Sequence, residues 1–260
     1  LSRAAGTAGL DIHIEVDTGM ARLGLPPQAL EAFFRLVRQY PNLRIRGLMS
    51  HLAHADDPQA PQNAAQMQRM ATAEAVAARL GVDLTWRHVL NSGGLLCDLG
   101  APRELVRCGL VLYGAQPAVG RSYTDLRPAM RWTTRAVALR DVPEQTPVSY
   151  SGRWRATRKS RLATLPVGYA DGFKRHFTNR AHVLIRGQRA PVVGAVCMDL
   201  CMVDITDIPG VTYADEVVLL GRQGEEVLTV DMLGAWADSF AYEMLCSISS
   251  RVPRHYVGAP

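Results

Sequence analysis

Over its first 115 residues the chain alternates short apolar runs with stretches of helical periodicity, and no other feature narrows the choice of fold as far. "LDIHIEV" (10–16) is short and apolar enough for a buried strand. Pro26 then opens a helix that carries Leu30, Phe33, Phe34 and Val37 at helical spacing, closed by Pro41 and Asn42. "LRIRGLMSHL" (43–52) reads as the next strand. The Ala-, Met- and Glu-rich segment from Gln62 to Leu80 reads as the next helix, stopped by Gly81. "VDLTWRHVLN" (82–91), a short helix near Leu95 to Leu99, and a fourth strand "LVRCGLVLYG" (105–114) complete the series. This rhythm means a parallel sheet with right-handed crossovers. In such sheets the carboxyl ends of the strands carry the ligand site. Here those ends hold Asp17-Thr18-Gly19, His51, Asn91-Ser92-Gly93 and Arg107. Four such units are too few to close an eight-stranded barrel.

The pattern changes after Gln116-Pro117. Residues 118–128 read as a linker, and from Pro128 onward the strands are short and separated by turns. Residues 181–205 hold a hairpin around Gly187 and then a long strand, and "DEVVLLG" (215–221) is another strand. One helix is predicted, from Asp231 to about Phe240, with Asp231 as its N-cap. The second domain is therefore mostly β, and the expected division is 1–117 and 118–260.

Composition removes several classes. With 48% hydrophobic and 20% charged residues in 260, each domain can bury a core and global disorder is excluded. The net charge of +5 is mild, and the basic run "SGRWRATRKSR" (151–161) alternates as an exposed strand face does, so neither nucleic acid nor membrane is an expected partner. The five cysteines are odd in number and form no CxxC pair, which fits free thiols in a reducing cytoplasm and no metal site. No signal peptide and no apolar run of membrane-spanning length is present in these residues.

Asp17-Thr18-Gly19 is the triplet of aspartic proteases. A protease dyad needs two carboxylates sharing a proton, and this sequence has one such triplet, set between a strand and a helix. A strand-end loop shaped by Asp17 and Thr18 is the better reading. His51 and His54 could hold a metal, but a hydrogen-bonded histidine at a strand end is the simpler account. Arg107 sits among apolar residues, so its guanidinium needs acceptors, a ligand atom being one option. Asn91-Ser92-Gly93-Gly94 offers a hydroxyl and backbone N–H donors that suit a phosphate.

Blocks along the chain, in order, are "VDTGMARLG", "GLMSHLAHAD", "NSGG", "VRCGLVLYG", "VSYSG", "LPVGYADGFKR", "APVVGAVCMDLCMVD", "VVLLGRQG" and "YEMLCSISSRVPR". Together they resemble the alanine racemase family, which uses pyridoxal 5'-phosphate to interconvert L- and D-alanine by two-base proton transfer. The resemblance implies an α/β fold in which the C-terminal half of a (β/α)8 barrel is followed by a mostly β domain. It implies that Tyr150 is a catalytic base, that His51 hydrogen-bonds towards Tyr150 and Arg107, and that Arg107 faces the pyridine nitrogen. It assigns Asn91, Ser92, Gly109, Leu110 and Tyr242 to cofactor binding. Arg22 and Met198 match contacts to the substrate carboxylate, and Tyr169 and Asp199 line the entrance. A homodimer is implied, with Tyr150 of one subunit acting on the barrel of the other, and alanine as the small-molecule partner.

Two departures matter. The family's lysine that forms the Schiff base lies in a Lys-Ala-x-Ala-Tyr-Gly-like motif. None is present, and the only lysines are Lys159 and Lys174. Position 1 is Leu, so the expectation is an N-terminally truncated chain, inactive alone. Glu15 replaces a lysine that is often carbamylated, and it is expected to pair with Arg22 directly or through water. Serine or broader racemases of the same fold and a non-catalytic dimerising remnant are the alternatives.

Overall fold

The computed structural model describes residues 1–100, 104–117, 123 and 125–258. The chain forms two compact units. Leu1–Leu112 make up the body of the first, and the second runs from Asp125 onward.

The first unit orders α1 (Ser2–Ala5), β1 (Leu10–Glu15), α2 (Leu30–Val37), β2 (Leu43–Met49), α3 (Pro61–Arg79), β3 (Trp86–His88) and α4 (Ser92–Leu96). The strands form a parallel sheet in the order β1-β2-β3. Its core-side face carries Ile14 and Leu48. Leu30 and Phe34 of α2 and Met70, Ala73 and Ala77 of α3 pack on them, all buried at helical spacing. The opposite face aligns Glu15 with Met49 and His88, and His13 with Gly47 and Trp86. Polar side chains on that face are free to build a site.

Two sequence expectations for this unit need correction. The third strand spans three residues rather than 82–91, because Val82 and Leu84 instead pack against the core from outside the ladder. The fourth strand does not form. Arg107 makes an isolated parallel bridge to Asn91, and Leu110–Tyr113 wind into a 3-10 turn. The reason is local. The amides of Gly109 and Val111 turn to the Ser92 hydroxyl at 3.0 and 3.4 Å, so they are not offered to a neighbouring strand. The linker expected over 118–128 falls largely outside the described residues.

The second unit orders β4 (Trp132–Arg135), β5 (Ala138–Val142), β6 (Pro147–Val148), β7 (Trp154–Arg155), β8 (Ser160–Leu165), β9 (His182–Ile185), β10 (Gln188–Pro191), β11 (Cys201–Asp204), β12 (Glu216–Gln223), β13 (Glu226–Leu228), α5 (Val230–Trp236) and α6 (Ala241–Ser247). One sheet runs β10-β9-β12-β13 with β4 also on β12, another runs β11-β8-β5, and β6 pairs with β7. The β9–β10 hairpin turns at Arg186-Gly187, both at positive φ, as a two-residue hairpin loop requires. The long strand expected after it is shorter, starting at Cys201. The single predicted helix becomes two, α5 and α6. Thr229 rather than Asp231 caps α5, its hydroxyl accepting from the Met232 amide at 3.2 Å. All five cysteines are free thiols, and the buried Cys201 thiol is pushed up by burial. Among the described residues no helix is long and apolar enough to cross a membrane.

Candidate active site

In the first unit the site grows from the carboxyl ends of the strands. Asp17 follows β1, and its Oδ1 accepts the amides of Gly19, Met20 and Ala21 at 2.9–3.0 Å. Those amides, Ala21 and Gly19 foremost, hold its carboxyl below the usual range. Asp17 is thus consumed in shaping the loop, which disposes of the protease reading. Thr18 and Ser50 share a 2.6 Å hydrogen bond between hydroxyls, and Ser50 also donates to the Val16 carbonyl. Gln66 of α3, almost fully buried, donates to Thr18 Oγ1 at 3.0 Å and to the His51 carbonyl at 2.9 Å, while its Oε1 accepts the Ala53 amide. One helix side chain therefore locks two strand-end loops together.

Arg107 is the centre of this site. Its Nη1 donates to His88 Nδ1 at 2.7 Å and to the His88 carbonyl at 2.8 Å. Its Nη2 donates to the Ser50 carbonyl at 2.6 Å and lies 3.3 Å from His51 Nδ1. Guanidinium only donates, so both imidazoles must accept at Nδ1 and carry their protons on Nε2. Burial, followed by the Arg107 charge, pushes His88 down to about 4. The same two causes, with Arg22 after them, hold His51 below the usual value, against an opposing pull from Glu15. Burial also lowers Arg107, and the Glu15 charge partly restores it. Glu15 and Arg22 therefore both bear on the site electrostatically. Among the described residues there is no direct ion pair between them within 4.0 Å, which corrects the direct form of the expected contact.

Asn91 and Ser92 stand at the start of α4. The Asn91 side chain caps that helix by accepting from the Gly94 amide at 2.9 Å, so its oxygen is committed to structure. Its amide nitrogen lies 3.5 Å from His51 Nε2, and both atoms are donors in the tautomer that Arg107 imposes, so the approach is a contact rather than a hydrogen bond. Ser92 Oγ accepts from Gly109 and Val111, which leaves its hydroxyl hydrogen to donate elsewhere. A Cβ at Gly109 would meet nothing within 4 Å, so the backbone there faces open space, with Leu110 following it.

In the second unit Tyr150, Tyr169 and Met198 line one cavity of about 430 Å³, together with Ser151, Arg175 and Cys197. Tyr150 follows Ser149, whose φ of 64° is rarely adopted outside glycine. The Ser149 hydroxyl donates to the Ala195 carbonyl at 2.7 Å and fixes that turn, leaving Tyr150 67% exposed. Tyr169 and Ala170 donate their amides to the Cys197 and Met198 carbonyls, both at 3.0 Å. That zipper depends on Gly168, where any Cβ would sit well inside contact distance of both carbonyl oxygens. Asp199 is held by Arg251 at 2.6 Å, and Arg251 also reaches Asp171 at 3.4 Å. Tyr242 lies in the first turn of α6, its ring 5.8 Å from that of Phe240, and does not line this cavity.

Comparisons with known proteins bear on this arrangement. A family model described as "Alanine racemase, N-terminal domain" matches residues 1–117, and one described as "Alanine racemase, C-terminal domain" matches 129–256. A curated alanine racemase from Halothermothrix orenii is 40% identical over 246 residues, 94% of this chain. The solved structure of the alanine racemase from Streptomyces coelicolor A3(2) superposes with a TM-score of 0.93 at 32% identity, covering 99% of this chain and 69% of that one. The chain belongs to the alanine racemase family. It spans 65% of the length of the Halothermothrix relative. An alanine racemase from Bartonella henselae, described with covalently bound pyridoxal phosphate, gives a TM-score of 0.82 at 29% identity, over 98% of this chain and 69% of its own.

For an alanine racemase family member, the residues that sequence reasoning missed are His13, His88, Gln66 and Arg175. His88 carried a signal, a polar side chain at a strand end. Gln66 carried none, since a glutamine inside an Ala-rich helix reads as surface.

Proposed function

We propose that this chain supplies most of the active site of an enzyme that interconverts L- and D-alanine with pyridoxal phosphate, its residues 1–117 holding the cofactor and 118–260 forming a β domain. The observation that carries the reading is Arg107, a half-buried cation whose only partners among the described residues are carbonyls and neutral imidazoles. Its Nε makes no hydrogen bond to the described residues and remains a donor. The Ser92 hydroxyl hydrogen, which meets no acceptor among the described residues, is a second donor in the same unit. A donor-only pair of this kind fits an anionic phosphate and an unprotonated pyridine nitrogen.

When bound, pyridoxal phosphate acidifies the α-hydrogen of an amino acid joined to it. Ser92 binds the phosphate, with Gly109 and Leu110 offering backbone beside it, and Tyr242 serves the same group. Arg107 donates to the ring nitrogen and cannot release a proton to it. Arg22 and Met198 hold the substrate carboxylate. Tyr169 and Asp199 border the entrance. Tyr150 removes and returns the α-proton on one face. The base role needs a positive charge nearby, which Arg107 of the facing barrel supplies, and His51 Nε2–H offers a neutral hydrogen-bond donor beside it. The exposure of Tyr150 supports its acting on a second copy in a homodimer. The bulk of Tyr242 supports alanine over larger substrates.

The sequence contains two lysines, Lys159 and Lys174, both in the second unit, and Lys174 donates to Glu243 at 2.9 Å. Catalysis therefore needs an amine from outside these 260 residues, and the chain alone is expected to be inactive. That same shortage of lysines favours a second reading, a non-catalytic dimerising chain. One experiment separates them. The chain fused to a lysine-bearing segment of an alanine racemase should bind pyridoxal phosphate and racemise L-alanine, followed by chiral chromatography. Dimer formation with neither binding nor turnover would leave only the second reading.

A further inference from the structure

We propose that His13 is a positioning residue for Arg107, acting through His88, and that Gly47 must be glycine because the His13 ring crosses over it. The proposal rests on the reading of Arg107 given above. His13 Nδ1 lies 2.8 Å from His88 Nε2, although the two residues are 75 apart in sequence. They sit on the two outer strands of the sheet, with β2 between them. His13 reaches across because its register partner on β2 is Gly47. A Cβ at Gly47 would lie 2.6 Å from the His13 ring. The backbone at Gly47 is not in the left-handed region, so space rather than conformation demands glycine here.

The direction of the hydrogen bonds is then fixed from one end. Arg107 can only donate, so His88 accepts at Nδ1 and its proton is on Nε2. That N–H faces His13 Nδ1, which must accept. The order is Arg107 to His88 to His13, and the chain carries a single positive charge, on the guanidinium. Without His13, the His88 Nε2–H loses its acceptor and its ring loses the contact that sets its plane. Arg107 Nη1 then loses its aligned acceptor, and the guanidinium plane, with its remaining Nε donor, is no longer held. A merely packed pair of imidazoles would impose no such order.

The test uses the chain with 15N-labelled histidine, with and without pyridoxal phosphate, the His88 signals being assigned with His88→Gln. In the wild type His88 should be a single Nε2–H tautomer with a slowly exchanging proton. His13→Phe fills the space but cannot accept, and should speed exchange of that proton about tenfold, what one lost hydrogen bond corresponds to. His13→Asn, which restores an acceptor near the Nδ1 position, should return exchange to within about threefold of wild type. Gly47→Ala keeps every polar group yet pushes the ring away, and should reproduce His13→Phe. Both disrupting variants should weaken pyridoxal phosphate binding by a similar factor. A wild-type His88 protonated on Nδ1, or folded His13→Phe and Gly47→Ala variants with unchanged exchange, would overturn the proposal. The tautomer and exchange are read in the cofactor-free chain. A chain completed with its lysine-bearing segment that shows the expected His88 state yet binds no pyridoxal phosphate would therefore count against the functional reading and leave the histidine relay standing.

Discussion

Arg107 Nη1 donates to His88 Nδ1 at 2.7 Å, so two groups that could each carry a positive charge are held in contact, and only the guanidinium does. The imidazole is kept neutral, and the cost of charging it makes the fold sensitive to acid.

His88 takes up a proton near 6.5 in the unfolded chain but only at about 4 in the fold, with burial the first cause and Arg107 the second. Between those values the unfolded chain binds more protons. The stability contribution is therefore full above about 6.5 and is lost as the pH falls towards about 4, by on the order of 3 kcal/mol. His51 is displaced in the same direction. Urea midpoints compared at about pH 7.5 and 4.5 should show this fall, and His88→Gln should flatten it.

Gln66→Leu removes three hydrogen bonds and leaves the Thr18 hydroxyl, the His51 carbonyl and the Ala53 amide short of partners. A loss of roughly 2–4 kcal/mol is expected, measured as a lower urea midpoint with unchanged slope.

Gly168→Ala places a methyl against the carbonyls of Cys197 and Met198. The two loops must part, which breaks the Tyr169 and Ala170 hydrogen bonds and costs roughly 3 kcal/mol or more. Thermal unfolding of the second unit should report it.

Tyr150→Phe, in the enzyme completed with its lysine, should cut alanine racemisation by about 10²–10⁴-fold. Binding of pyridoxal phosphate should change little. Hydrogen–deuterium exchange at the alanine α-carbon should persist from one enantiomer only. Wild-type turnover in this variant would remove Tyr150 from the proton path.

Ser92→Ala removes the hydroxyl that accepts two amides and offers one hydrogen. Pyridoxal phosphate affinity should fall by about tenfold, in line with one hydrogen bond to a charged group. An absorbance titration measures it.

Much of the site was legible from residue type and position. Ser92 and Arg107 follow apolar runs, which is where a parallel sheet presents its ligand groups. The Leu30-Phe34-Val37 spacing gave α2, and all three side chains are buried. What failed were features settled by competition for backbone groups. "LVRCGLVLYG" is as apolar as a strand, yet Ser92 takes its amides. "DML" contains a good N-cap, yet Thr229 two residues earlier is the one whose hydroxyl reaches an amide.

By itself the sequence determined the alternation of strands and helices, the mostly β character of the second half and the supply of donors at the strand ends, because these follow from periodicity and side-chain chemistry along a local stretch. Only the tertiary structure decided that His13 reaches His88 over Gly47, that Gln66 ties two loops, and that Asp17 is spent on three amides. Each of these depends on which donor meets which acceptor. That pairing is fixed when segments far apart in the chain are brought side by side.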